Sequence, residues 1–265
     1  MRDNSDMYKA NFLLVIFCLL PFLAAAQQER LRDENQIGWF VYNGDHALSR
    51  KWELHTEYQW RRVYWISEWQ QWLARLGANY SVNDKITGGF GYTTLVTHPY
   101  GDYPIADKGV PYPEHRIYED IQIADTVGVV TLGHRFRLEQ RWISDIAPDG
   151  SRRIASWEYQ NRIRYQIEAT LPLQGRTVNN REFFVSFFDE LFIGFGRNVD
   201  LNVYNQNRIY GGIGYQFRDN LSAELGYLNQ ITQHADPDPV SGNRVFEYNN
   251  GFRLSLNYNL DFRRY

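Results

Sequence analysis

Cysteine is all but missing from this 265-residue sequence: the single one, Cys18, lies inside an apolar stretch near the start. Disulfides and thiol catalysis are therefore excluded for everything that follows it, and stability must come from hydrogen-bonded structure. Long hydrophobic runs are equally scarce. Mean hydropathy is -0.53, which excludes a bundle of membrane helices. The one apolar run, FLLVIFCLLPFL at 12–23, falls short of the roughly 20 residues a spanning helix needs. Charge of one sign is lacking as well. Lysine and arginine number 28 against 31 acidic residues, for a net charge of -3, so no basic excess points to nucleic acid. Metal-ligand spacings such as the EF-hand and H-E-x-x-H are absent, as is G-x-S-x-G. Asp236, Asp238 and Asn243 stand among Pro and Gly breakers and read as turn chemistry.

What the chain has in abundance is aromatic residues: 16% of the total, with 19 Tyr, 16 Phe and 8 Trp. A polar average with a heavy aromatic load suits a membrane β-barrel. There, only alternate residues touch lipid and aromatics ring both interfaces. The run at 12–23 is preceded by Lys9 and followed by Ala24-Ala25-Ala26, the layout of a secretory signal peptide. We expect residues 1–26 to be that signal and 27–265 to form one all-β domain, a membrane-spanning antiparallel up-and-down barrel.

The sequence after the signal alternates at period two, strand after strand. Leu132, His134, Phe136, Leu138 and Trp142 occupy one face of a segment whose other face is Arg135, Arg137, Glu139 and Arg141. Between 157 and 171, Tyr159, Ile163, Tyr165, Ile167 and Leu171 oppose Glu158, Arg162, Arg164 and Glu168. These segments exceed the usual strand length of about 5–6 residues and reach the roughly 9–11 needed to cross a bilayer at a tilt. Trp52, Trp60, Trp69, Trp72, Trp142 and Trp157 fall near strand ends, where interfacial girdles belong.

Connections alternate in length too. Short ones fall at 83–84, 125–128 and 218–220, long ones at 98–115, 144–155, 197–205 and 234–244, with 172–181 a medium exception on the short side. In outer-membrane barrels the short turns face the periplasm and the long loops face outside. Ten segments are clear and 36–42 is an eleventh candidate. Bacterial barrels with both ends inside have even parity, so the expectation is ten or twelve strands.

The blocks HRFRLEQRW (134–142), NRIRYQIEATLPL (161–173), FFDELFIGFG (187–196), NQNRIYGGIGYQF (205–217) and GYLNQ (226–230) occur here in order. Together they resemble the outer-membrane barrel family termed domain of unknown function 2490. The resemblance covers nearly all of the mature chain. It implies a bacterial, Gram-negative outer-membrane location and brings no catalytic residue.

For the site, alternation predicts a lumen lined by Arg135, Arg137, Glu139, Arg141, Glu158, Arg162, Arg164 and Glu168, extended by Glu190, Arg208, Glu224 and Arg253. Neighbouring strands should interleave guanidinium and carboxylate groups. Two functions fit such a lumen: a narrow, porin-like channel for small anionic solutes, since Arg forks match carboxylate and phosphate, or a structural and binding barrel. A third reading, a lipid-modifying acyl hydrolase or transferase, would need a Ser/His site assembled between strands. Ser186 and Ser222 have the lumen parity, and His134 the outward one. No cofactor or metal is expected. The expected partners are outer-membrane lipid and the barrel-assembly machinery during insertion. The tyrosines of the 98–115 loop, among them Tyr100, Tyr103 and Tyr112, are open to three roles: ligand stacking, inward constriction, or packing on the rim.

Overall fold

The computed structural model describes residues 30–103, 109–149, 151–199 and 202–263; the expected signal peptide, with Cys18, lies outside them. Eleven strands close into one barrel. In chain order they are β1 (Arg30–Ala47), β2 (Trp52–Val63), β3 (Glu68–Ser81), β4 (Ile86–Thr97), β5 (Tyr112–Val127) and β6 (Val130–Ile146), followed by β7 (Ile154–Pro172), β8 (Glu182–Phe195), β9 (Tyr204–Arg218), β10 (Leu221–Gln233) and β11 (Arg244–Tyr258). Each pairs antiparallel with its sequence neighbour, and β1 closes the ring by pairing in parallel with β11.

That seam explains why the count is eleven rather than the ten or twelve expected. The segment at 36–42 is the middle of a full 18-residue strand. Because β1 and β11 run the same way, Arg30 lies at the long-loop end and the chain leaves β11 at the short-turn end. Even parity holds only when the first strand starts and the last strand finishes at the same end, and here Arg30 and Tyr258 lie at opposite ends. The seam is tight. A Cβ on Gly251 would collide with the Ile37 carbonyl, and one on Gly38 with the carbonyl of Trp65. Trp65 itself sits in the β2–β3 connection, where it and Tyr64 hold positive φ angles of 65° and 47°.

The turns follow from local chemistry. At 82–85 the Asn83 side-chain oxygen accepts the Lys85 and Ile86 amides, each at 2.9 Å, an Asx turn that reverses the chain. Between β5 and β6, Gly128 supplies the left-handed φ of 66° that a two-residue hairpin needs.

Alternation sets the two faces. On β7, Arg162 and Arg164 are 4% and 5% exposed while Ile163 between them is 47% exposed. The barrel is thus apolar outside and charged inside. Inward aromatics fit because the wall opposite them is bare. The Tyr118 ring lies over Gly77 and Gly91, where any Cβ would strike its hydroxyl, and Tyr118 is 1% exposed.

Candidate functional site

Inward parity on seven strands, β2, β3 and β5 to β9, brings the charged side chains together as a belt at mid-height. Glu139 on β6 accepts Arg162 Nε and Nη2 at 2.9 and 2.6 Å and Arg164 Nη1 at 2.7 Å. Arg164 reaches onward to Glu190 on β8 at 2.6 Å, which also receives Arg135 Nη2 at 2.8 Å and lies 3.7 Å from Arg208. Glu114 holds both Arg116 and Arg141 through Nε donors at 2.6 Å. Asp120 holds Arg137, and Glu57 holds Arg75. The register dictates these partners: Arg137 stands opposite Asp120 on β5 and Arg164 on β7, and Glu139 opposite Arg162.

Five carboxylates thus carry eight guanidinium groups. A ninth, Arg61, finds amide rather than carboxylate oxygens, donating Nη1 to Gln71 at 2.6 Å and Nε to Gln59 at 2.7 Å. Its guanidinium lies 3.9 Å from the centre of the Trp39 ring, and Arg208 lies 5.0 Å from the same centre. Burial of this kind favours Arg over Lys, because the delocalised fork is weakly hydrated and stacks on aromatics.

Among the described residues, a vestibule lies on each side of the belt. That at the short-turn end has a volume of about 400 Å³ and that at the long-loop end about 390 Å³. Arg61, Arg116 and Arg208 line both, so the vestibules meet at these three side chains. Charge is distributed unequally between them. Eight arginines and five carboxylates line the short-turn vestibule, five and five the other.

After β4, Tyr100 reaches into the long-loop vestibule. Tyr100, 7% exposed, donates its hydroxyl to Glu247 Oε2 at 2.7 Å and accepts Gln70 Nε2 at 3.0 Å. Gln70 in turn accepts Trp39 Nε1 at 2.7 Å, so the loop is tied to the belt through three side chains. His234 Nε2 lies 2.9 Å from the other Glu247 oxygen, and Asp33 accepts the backbone amides of Asp102 and Tyr103 at 3.3 and 3.4 Å. Burial, and then the Glu247 carboxylate, hold the Tyr100 phenol well above the ordinary tyrosine range. A raised folded pKa means that the neutral phenol is the bound form. The contact is complete below the unfolded value of about 10 and weakens only as pH rises past it. Tyr100→Phe, which deletes the donor, is expected to loosen the loop by about 1 kcal/mol. Amide exchange of Asp102 and Tyr103 should then quicken severalfold, and unchanged exchange would refute the tie.

Most of the twelve charged positions read from the sequence lie in this assembly. Arg135, Arg137, Glu139, Arg141, Arg162, Arg164, Glu190 and Arg208 form the belt. Glu158 stands at the rim of the long-loop vestibule, and Glu168, Glu224 and Arg253 line the short-turn one. None of these four makes an ion pair among the described residues: Glu158 accepts Gln160 Nε2 at 2.6 Å, and Glu168 has no charged partner. Glu224 accepts Ser186 Oγ at 2.6 Å and Asn257 Nδ2 at 3.1 Å, and Arg253 rests over Phe188 and Tyr210. Missed among the charged residues were Glu57, Arg61, Arg75, Glu114, Arg116 and Asp120, with Trp39, Gln70 and Tyr100 beside them. Period two places the six charges on inward faces, which is the signal that would have found them.

Among the described residues, serine and histidine do not converge. Ser186 is bonded to Glu224. The histidine rings face Thr56 (from His46), Asp45 (from His55), Tyr92 (from His115), Tyr165 (from His134) and Glu247 (from His234). The Asp238 carboxylate closes its own turn on Ser241.

A family model described as "Protein of unknown function (DUF2490)" matches residues 36–241, from the middle of β1 to the β10–β11 loop. No curated protein and no solved structure matches the chain.

Proposed function

The chain belongs to the DUF2490 family of proteins of unknown function, and from that premise we propose that it spans the bacterial outer membrane as a binding barrel closed at mid-height, not as an open pore. The observation that carries the reading is its inversion: buried charge within, exposed hydrocarbon without. Leu76, Phe90, Ile121, Phe136, Ile163 and Leu225 point outward and are 47% to 57% exposed. Water-soluble monomers rarely leave contiguous apolar patches beyond a few hundred Å², whereas a lipid-facing wall requires one. The outward polar groups are paired with one another, Asn207 to Asp189 at 2.6 Å and Gln140 to Glu119 at 3.1 Å, which lowers their cost in lipid. Long loops face the exterior and short turns the periplasm, with insertion through the barrel-assembly machinery.

Closure follows from the belt. Arg137, Glu139 and Glu190 are 3%, 1% and 2% exposed, and every belt carboxylate is held by at least one guanidinium. In a planar bilayer the refolded protein should be silent, without steady openings. Sustained conductance would refute the closure.

The membrane assignment has its own test. Leu225→Arg on the outward face is expected to cost about 2–4 kcal/mol of folding stability in bilayers. Asn257→Arg, on the wall of the short-turn vestibule, should cost far less. Equal costs, or a wild-type protein that stays soluble without detergent, would count against it.

A further inference from the structure

The short-turn vestibule holds cationic donors that none of the described residues uses. Arg137 gives Nε and Nη2 to Asp120, yet its Nη1 is buried with no partner among the described residues. Arg135, two residues earlier on the same face of β6, gives Nη2 to Glu190 and leaves its buried Nε unmatched. Across the vestibule, Arg253 lies 5.5 Å from the Phe188 ring centre and 5.2 Å from that of Tyr210, with no ion pair among the described residues. A buried donor left open is costly, and open N–H groups on guanidinium forks are what an oxyanion satisfies.

We propose that this vestibule binds a small polyvalent oxyanion of the phosphate type, held by Arg135 Nε and Arg137 Nη1 with Arg253 opposite. The inference deepens the binding-barrel reading and rests on it for the barrel, though not for the closure. Three features set the ligand's class. Arg253 makes no ion pair among the described residues, and Arg135 and Arg137 each keep an open donor beside the one carboxylate they hold, which favours an anion with more than one charge. The open donors are N–H groups on a rigid fork, which favours oxygen acceptors over a halide. A volume of about 400 Å³ admits a molecule the size of pyrophosphate with its water. Of the acidic groups around the site, Asp120 holds Arg137, Glu57 holds Arg75, Asp45 meets His55, Glu224 accepts Ser186 and Asn257, and Glu190 already faces Arg135, Arg164 and Arg208, whereas Glu168 makes no ion pair among the described residues. Glu168 is the side chain that a bound anion would meet as a repelling neighbour.

The test is calorimetric titration of the refolded full-length barrel in detergent micelles with pyrophosphate, against sodium chloride at equal ionic strength. Saturable binding of pyrophosphate is expected. Arg135→Gln with Arg137→Gln should weaken it on the order of tenfold or more, because two charge-assisted bonds are lost. Glu168→Gln should tighten it severalfold, and Arg62→Gln, outside the lumen, should leave it unchanged. Migration on unboiled gels reports whether each variant has folded; should the double variant fail to fold, Glu168→Gln carries the test. Equal affinity in the wild type and the double variant overturns the site. So does pyrophosphate heat no greater than that of chloride, or a folded Glu168→Gln with no gain in affinity. A barrel that binds pyrophosphate yet conducts ions overturns only the closure, and a silent barrel that binds none overturns only this site.

Discussion

Glu139→Leu is expected to lower the folding stability of the barrel by about 3–5 kcal/mol, the range found when one partner of a buried ion pair is removed. Leucine nearly matches the volume of glutamate, so the change deletes acceptors without opening a large cavity. The loss is severe because Glu139 is 1% exposed and serves two guanidinium groups. Arg162 would keep only the Asn205 amide oxygen at 2.7 Å, and Arg164 would keep Glu190. Water cannot readily replace the lost carboxylate at so closed a position, so two buried cations would share one remaining carboxylate and an amide. Glu158→Leu, at the exposed rim, is the contrast and should cost well under 1 kcal/mol. Urea unfolding in lipid vesicles, followed by tryptophan emission, measures both. Equal effects would mean that the belt is hydrated and that its pairing matters little to stability. A double change, Glu139→Leu with Arg162→Leu, should recover part of the loss, because much of the single-variant cost is the stranded cation.

Much of this architecture is written in the sequence, and the reason is geometric. A strand has a period of two, so Arg135, Arg137, Glu139 and Arg141 announce their shared face without any knowledge of neighbours. Short turns such as that at Asn83 announce themselves through side-chain acceptors. The adjacent hairpins then bring Arg162 and Arg164 against Glu139. What the sequence does not carry is the pairing of strands far apart along the chain. Nothing local to Ile37 or Gly251 marks them as neighbours across a parallel seam, and an even strand count was expected for want of that information. The belt's partners across several strands were hidden for the same reason. Arg208 meets Trp39 only because the ring closes. Tyr100 was the hardest to place. Its loop has no periodicity, so its inward turn depends on Glu247 and Gln70, residues that only the closed barrel brings near.

Trp39→Ala is expected to turn a silent barrel into a conducting one. Arg61, Arg116 and Arg208 are the side chains common to both vestibules, and Trp39 is the platform on which two of them rest. Removing the indole withdraws the surface that holds Arg61 and Arg208 across the lumen, and it also breaks the bond to Gln70 that ties the belt to Tyr100. Both guanidiniums would then be free to swing along the wall into water, where each is better hydrated, and the two vestibules would join. The surplus of guanidinium over carboxylate in the belt predicts that the opened lumen prefers anions, since a narrow passage with low-dielectric walls focuses the field of its lining charges. Single-channel recording with a salt gradient reads both conductance and selectivity. Arg62→Ala removes a guanidinium that stacks on Trp60 and Trp69, aromatics of the outer face, and should leave the barrel silent. A folded Trp39→Ala protein that stays silent would place the closure elsewhere, in the Glu139 and Glu190 pairs alone. A cation-selective opening would mean that the acidic groups of the long-loop vestibule, Glu114, Glu158 and Glu247 among them, govern the field in spite of the belt.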